Sequence, residues 1–186
     1  DTDAFSRWEA GQRLATQILL RGIAAFQSGK GEALAWIPAS YVEAIRTLLA
    51  SALGEGGDPA LVAEALALPS EVVLAEAISD VVDPDAIHAA REALIVHLAG
   101  KLRAEFAQTY KALKLNVPYS PETTQVGARS LRNLCLDYLA SLADEPARAM
   151  LKTQLDEADN MTDTVAALAA LACLDVPERQ AALDDF

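Results

Sequence analysis

The sequence predicts an all-α chain, arranged as an irregular superhelix of antiparallel helix pairs of HEAT or armadillo type, with about eight or nine helices. Three observations carry this. Of its 186 residues 52% are apolar but only 5% aromatic, so the hydrophobic content is mostly Ala and Leu, the strongest helix formers. Few segments alternate with period two, and β-branched residues are sparse, which leaves little for strands. Turn residues punctuate the chain into segments of roughly 10 to 30 residues joined by short connectors, as between antiparallel helix neighbours. No fixed repeat period is present, so an irregular stack fits better than a compact four-helix bundle.

The elements follow in order. Trp8, Gly11, Ala15, Leu19, Gly22 and Phe26 form one stripe on a first helix, whose two glycines would admit a close neighbour. Ser28-Gly-Lys-Gly31 ends it, and Ser40-Tyr-Val-Glu43 has the spacing of a capping box. Breaks at Gly54 to Pro59, Pro69-Ser70 and Asp83-Pro84 follow, several with Pro behind an Asp or Ser, where a missing N–H costs nothing. The longest helix is expected from Pro84 to about Leu113, spanning roughly 40 Å. Lys114 to Pro121 reads as a hinge between two halves of one helical segment, 1–186. After Pro121, Leu131, Leu134, Cys135, Tyr138 and Leu142 share an arc of about 100°, with Arg129, Arg132, Asn133 and Asp137 outside it. Asn160 reads as an N-cap with Asp163 three residues on, in the pattern of a capping box. A last helix starts near Pro177.

Charge narrows the partners. A net charge of −12 and a pI near 4.5 argue against nucleic acid, whose binding needs clustered Lys and Arg, and against an anionic membrane surface. No apolar run reaches the roughly 18 residues needed to span a bilayer. Cys135 and Cys173 have no motif partner and read as buried free thiols of a cytosolic protein rather than a disulfide. The opening Asp1-Thr2-Asp3 lacks an initiator Met and a signal peptide, and the end at Phe186 falls inside an apparent helix. The chain therefore reads as a segment of a longer polypeptide.

Catalytic chemistry is hard to place. His88 and His97 are nine residues apart, about 180° and roughly 13 Å on one helix, so they cannot share an ion there. His88 reads as exposed and His97 as partly buried. Cys135 lies on an apolar face, without the base and electropositive setting of a nucleophile. Gly54-Glu-Gly-Gly57 lacks the Lys and Ser/Thr of a phosphate loop. Two polar clusters stand out. Asp156, Glu157 and Asp159 crowd the end of a helix, where the macrodipole disfavours them; they are either solvated or met by basic groups on another domain. Arg129 and Arg132 are likewise either solvated or paired across a domain boundary.

Several segments carry a family resemblance: Asp3-Ala-Phe-Ser-Arg7-Trp8-Glu-Ala-Gly-Gln12, Leu66-Ala-Leu-Pro69-Ser70, Asp83-Pro84, Gly127-Ala-Arg129-Ser-Leu-Arg132-Asn133 and Asn160-Met-Thr-Asp163. In this order they resemble the non-catalytic C-terminal helical domain of M1-family zinc aminopeptidases of the bacterial aminopeptidase N type. The resemblance implies a cytoplasmic, monomeric parent enzyme that removes N-terminal residues from peptides. It implies no cofactor in this segment, with zinc, its H-E-x-x-H ligands and the G-x-M-E-N loop in an upstream catalytic domain, which would be this segment's partner. The family's C-terminal helices cap the active site and enclose the chamber that peptides enter, although the chain stops short of the family's last helices. The alternative is a stand-alone helical-repeat scaffold that binds protein partners on a concave surface.

Overall fold

The computed structural model describes residues 3–186; the Asp1-Thr2 opening lies outside them. Among the described residues there are ten α-helices and no strand. They are α1 (Ala4–Gln27), α2 (Ala39–Ala52), α3 (Pro59–Leu66), α4 (Glu71–Glu76), α5 (Pro84–Lys101), α6 (Arg103–Ala112), α7 (Thr123–Ala140), α8 (Glu145–Glu157), α9 (Met161–Ala172) and α10 (Glu178–Asp185), with one 3₁₀ turn at Gly31–Ala33. The all-α class is borne out.

The caps explain most of the boundaries. Asp3, Asp58, Ser70, Asp83, Asp144 and Asn160 each accept a hydrogen bond from the backbone N–H three residues on, satisfying a donor that the first turn leaves free. Pro sits in the first turn behind Asp58, Asp83 and Asp144. The Ser40 capping box does not form. α2 starts at Ala39 behind Pro38, whose backbone is extended, and Ser40 is already inside the helix. With Pro38 at the boundary the helix starts two residues earlier than the Ser–Glu spacing implied.

The expected rod from Pro84 to Leu113 is two helices, which is one reason the count exceeds eight or nine. The chain leaves helical geometry at Leu102 (φ −121°, ψ 24°), two residues after Gly100, a poor helix former. Its N–H still reaches Leu98 and its carbonyl still serves Phe106. Leu98, Leu102 and Phe106 are all fully buried across the bend. α1, at 24 residues and about 36 Å, is the longest helix instead.

One continuous core runs through the stack. α1 packs on α5, α3 and α6 pack on α7, and α7, α8, α9 and α10 pack in succession. Gly127 lets α3 and α7 approach closely: a Cβ there would lie 2.9 Å from the Ala60 Cβ and 3.0 Å from its backbone nitrogen. On α1, Gly22 seats the Trp36 ring, 2.8 Å from a hypothetical Cβ, whereas Gly11 faces open space. Only one of the two glycines in the α1 stripe thus makes a close approach. The Phe106 and Tyr138 rings stack at 4.6 Å between α6 and α7.

The Leu66–Ser70 segment is a joint whose carbonyls are taken by side chains from three other helices. Gln12 donates to Ala67 O at 2.8 Å, Tyr138 Oη to Leu66 O at 2.9 Å and Arg91 Nε to Pro69 O at 3.0 Å. Buried carbonyls need such partners, and these draw α1, α5 and α7 to one point. The stretch expected to hinge, 114–121, is irregular, but the helices before and after it share the core, with α7 against both α3 and α6.

Candidate functional site

Beside that irregular stretch is a cavity of about 120 Å³, between the 113–119 segment, α7 and the α8–α9 turn. Of the residues singled out in the sequence, Arg129, Arg132, Glu157 and Asp159 all line it. Asp156 does not. It pairs with Lys152 at 2.9 Å and lines a separate groove beside α10.

Both arginines are buried, 5% and 8% exposed, so neither is solvated, and each finds groups within this chain. Arg129 Nη1 donates to Gln125 Oε1 (3.0 Å) and Nη2 to Ser120 O (2.6 Å). Its guanidinium carbon lies 4.6 Å from the centre of the half-exposed Tyr119 ring, within cation–π range. Gln125 holds the same segment through Pro118 O and Ser120 N. Arg132 stacks on Tyr110 at 4.3 Å, donates from Nη2 to a hydroxyl, that of Tyr110 (2.9 Å), and lies 3.8 Å from Asp163. Its Nε is buried and has no partner among the described residues.

Arg132 belongs to a network across four helices. Tyr110 Oη donates to Gln154 Oε1 (3.0 Å), Gln154 Nε2 to Asn133 Oδ1 (2.8 Å), and Asn133 Nδ2 to Asp163 Oδ1 (2.9 Å). Burial pushes the Tyr110 hydroxyl pKa upward, against the pull of Arg132. Asn160 caps α9 as expected, but the reciprocal half of the box differs. Asp163 takes its second oxygen to the Asn160 side chain (3.1 Å) and faces Arg132. Sequence reasoning missed Tyr110, Gln154, Tyr119 and Gln125. Gln154 had a signal: it continues the buried stripe Ala147, Leu151 on α8, where a polar side chain must find buried partners.

The acids at the end of α8 are also paired locally: Glu157 with Lys114 (2.8 Å) and Asp159 with the Asn160 amide (3.0 Å). These contacts offset charge that the helix C-terminus disfavours.

The described residues do not fit a catalytic zinc. Among the described residues no three His, Cys, Asp or Glu side chains converge, whereas such a site needs three protein ligands. His88 is exposed, and Glu71 accepts its hydrogen bond at 2.9 Å, which raises its pKa. His97 is half-buried and its pKa is lowered, chiefly by desolvation. Cys135 is buried, with its thiol pushed up to about 12, but Cys173 is exposed. The expectation of two buried thiols fails at Cys173 because it falls on the C-cap of α9, outside the packed turn Ala167–Leu171. No helix among the described residues is long and apolar enough to cross a membrane.

The comparisons with known proteins agree with the resemblance read from the residues. The chain is 38% identical over 182 residues to aminopeptidase N of Escherichia coli, covering 98% of this chain and 20% of that protein. Aminopeptidase N of Caulobacter vibrioides is 33% identical over 186 residues, 100% and 20% of the two chains, and that of Haemophilus influenzae 37% over 178 residues, 92% and 19%. Among solved structures, Legionella pneumophila aminopeptidase A in complex with aspartic acid superposes with a TM-score of 0.78 at 25% identity, over 100% of this chain and 22% of that one. The chain thus spans about a fifth of the length of these relatives. A family model described as "Domain of unknown function (DUF3458_C) ARM repeats" matches residues 1–186, and the protein belongs to that family.

Proposed function

We propose that this chain is the non-catalytic helical domain of a zinc-dependent aminopeptidase that removes N-terminal residues from peptides. Its role is to wall and gate the active-site chamber, admitting short or unfolded peptides. The observation that carries this is identity of 33–38% to proteins named aminopeptidase N along nearly the whole chain, which spans about a fifth of each. Three features support it. Among the described residues no three potential zinc ligands converge, which favours a metal and a hydrolytic centre on polypeptide outside this chain. The helices share one continuous core, which suits a chamber wall that excludes water. The strongly acidic surface suits a cytoplasmic, monomeric enzyme that avoids nucleic acid and membranes.

In this reading the partner is the catalytic domain of the same polypeptide. Arg129, Arg132, Asp156, Glu157 and Asp159 remain the residues proposed to face it, with the first two acting from inside the cavity, Glu157 and Asp159 from its rim and Asp156 from the groove beside α10. The flanking coding sequence tests the assignment: an H-E-x-x-H should lie about 200 to 400 residues upstream, one or two domain lengths away. A chain complete without it would sink the proposal. The wall role predicts that the intact enzyme cleaves short peptides while sparing the same N-terminal sequence on a folded protein; equal cleavage of both would contradict it.

A further inference from the structure

The cavity beside α7 holds a charge imbalance that the chain does not resolve. Arg129 is 5% exposed, yet its hydrogen bonds go only to neutral oxygens, those of Gln125 and Ser120. No carboxylate pairs with it among the described residues. Arg132, in the same cavity, has Asp163 and a buried Nε without a partner. Lys114 and Glu157 cancel at the rim. Asp159, also at the mouth, is exposed and screened by water. Two buried cations against one partly buried carboxylate, Asp163, leave a surplus of one positive charge. A buried charge is costly unless paired.

We propose that this cavity is a binding site for a single carboxylate group, received by the Arg129 and Arg132 guanidinium groups. The geometry selects the ligand class. Guanidinium presents a planar fork that matches a carboxylate. A volume of about 120 Å³ is several times the ~30 Å³ of one water. It is well below the ~300–1,000 Å³ of pockets that enclose a drug-sized molecule. The site therefore accepts the acidic end of a side chain or chain terminus rather than a whole ligand. A dianion such as phosphate would exceed the single surplus charge and face Asp163. Tyr119, stacked on Arg129 and half-exposed, forms the apolar lip over which the ligand's methylenes would lie.

The test is a titration of the unaltered chain with propionate, followed through the arginine Nε–Hε nitrogen–proton resonances, with chloride at equal ionic strength as control. A saturable shift of the Arg129 resonance, absent with chloride and with the neutral amide propionamide, is the expected result. Arg129→Lys keeps the charge but loses the fork, and should weaken binding by about tenfold. If that variant fails to fold, the titration of the unaltered chain decides alone. A linear shift matched by chloride, or tighter binding of inorganic phosphate than of propionate, would overturn the proposal. Repeating the titration in the full-length enzyme identifies the source of the carboxylate. Loss of the propionate response assigns it to an Asp or Glu of an adjoining domain, and a retained response to a free ligand such as a peptide C-terminus. Only this last arm rests on the aminopeptidase reading, so failure of the site and failure of that reading are separate results.

Discussion

Replacing Asp163 by Asn would remove one charge from the contact that ties α9 to α7 while keeping the shape of the side chain. Asp163 and Arg132 are 13% and 10% exposed at the side chain and 3.8 Å apart. Removing one partner of a buried pair costs about 3–5 kcal/mol, because the other charge is left desolvated. The separation is long for an ion pair and the amide can still accept from Asn133, so the lower end applies, about 3 kcal/mol. For a domain of this size that is a fall in melting temperature of about 6–12 °C. Urea unfolding followed by far-ultraviolet circular dichroism gives the number. Arg132→Met alone and combined with Asp163→Asn completes the cycle, with an expected coupling of about 1–3 kcal/mol. The exposed pair Lys152–Asp156, 64% and 56% exposed, is the control: Lys152→Ala should cost at most about 0.5 kcal/mol. An Asp163→Asn chain within about 0.5 kcal/mol of the parent, or a cycle without coupling, would refute the claim that this pair holds the two helices together.

Other consequences are accessible to simpler measurements. Gly11→Ala meets open space and should stabilise by about 0.5–1 kcal/mol. Gly127→Ala meets the Ala60 backbone and should destabilise by about 1–3 kcal/mol; equal effects would contradict the close approach of α3 and α7. In the native state only Cys173 should react with a thiol reagent, Cys135 being buried with its thiol pushed up to about 12; two fast-reacting thiols would count against this packing. The two histidines act with opposite sign. His88, whose pKa is raised from 6.5 by Glu71, contributes stability below about pH 6.5 that is lost as pH rises through its higher folded value. It is exposed, so the effect stays under about 1 kcal/mol. His97, whose pKa is lowered from 6.5 by burial, contributes above about pH 6.5 and loses that stability as pH falls through its folded value. Melting series between about pH 5 and 8 should therefore show His88→Gln less stable than the parent only on the acid side. His97→Gln should blunt the acid loss, and the reverse pattern would overturn both assignments.

The helices were legible because their signals are local. Asp58, Asp83 and Asn160 cap the helices that their sequence context announced, and the α7 stripe through Leu131, Cys135 and Tyr138 faces the core. What escaped depended on tertiary contacts. The bend at Leu102 leaves Leu98, Leu102 and Phe106 all in the core, and no cap or proline marks it. Gly11 and Gly22 look alike in sequence, but only Gly22 has Trp36, fourteen residues on, to seat. At the cavity the periodicity put Arg129 and Arg132 off the apolar stripe, which suggested solvent or another domain. Buried in fact, they are sheltered by the 113–119 segment and by α9, whose return to α7 no local pattern encodes.

We propose that this chain is architecture, and that the metal and the hydrolysis of any enzyme it belongs to lie elsewhere. The most direct test is thermal unfolding of the purified chain with added zinc and with a chelator, run beside an aminopeptidase assay on short peptides. The expected result is one melting temperature under both conditions and no hydrolysis above the buffer rate. A rise in melting temperature with zinc, as binding to the folded state requires, together with peptide turnover, would contradict it.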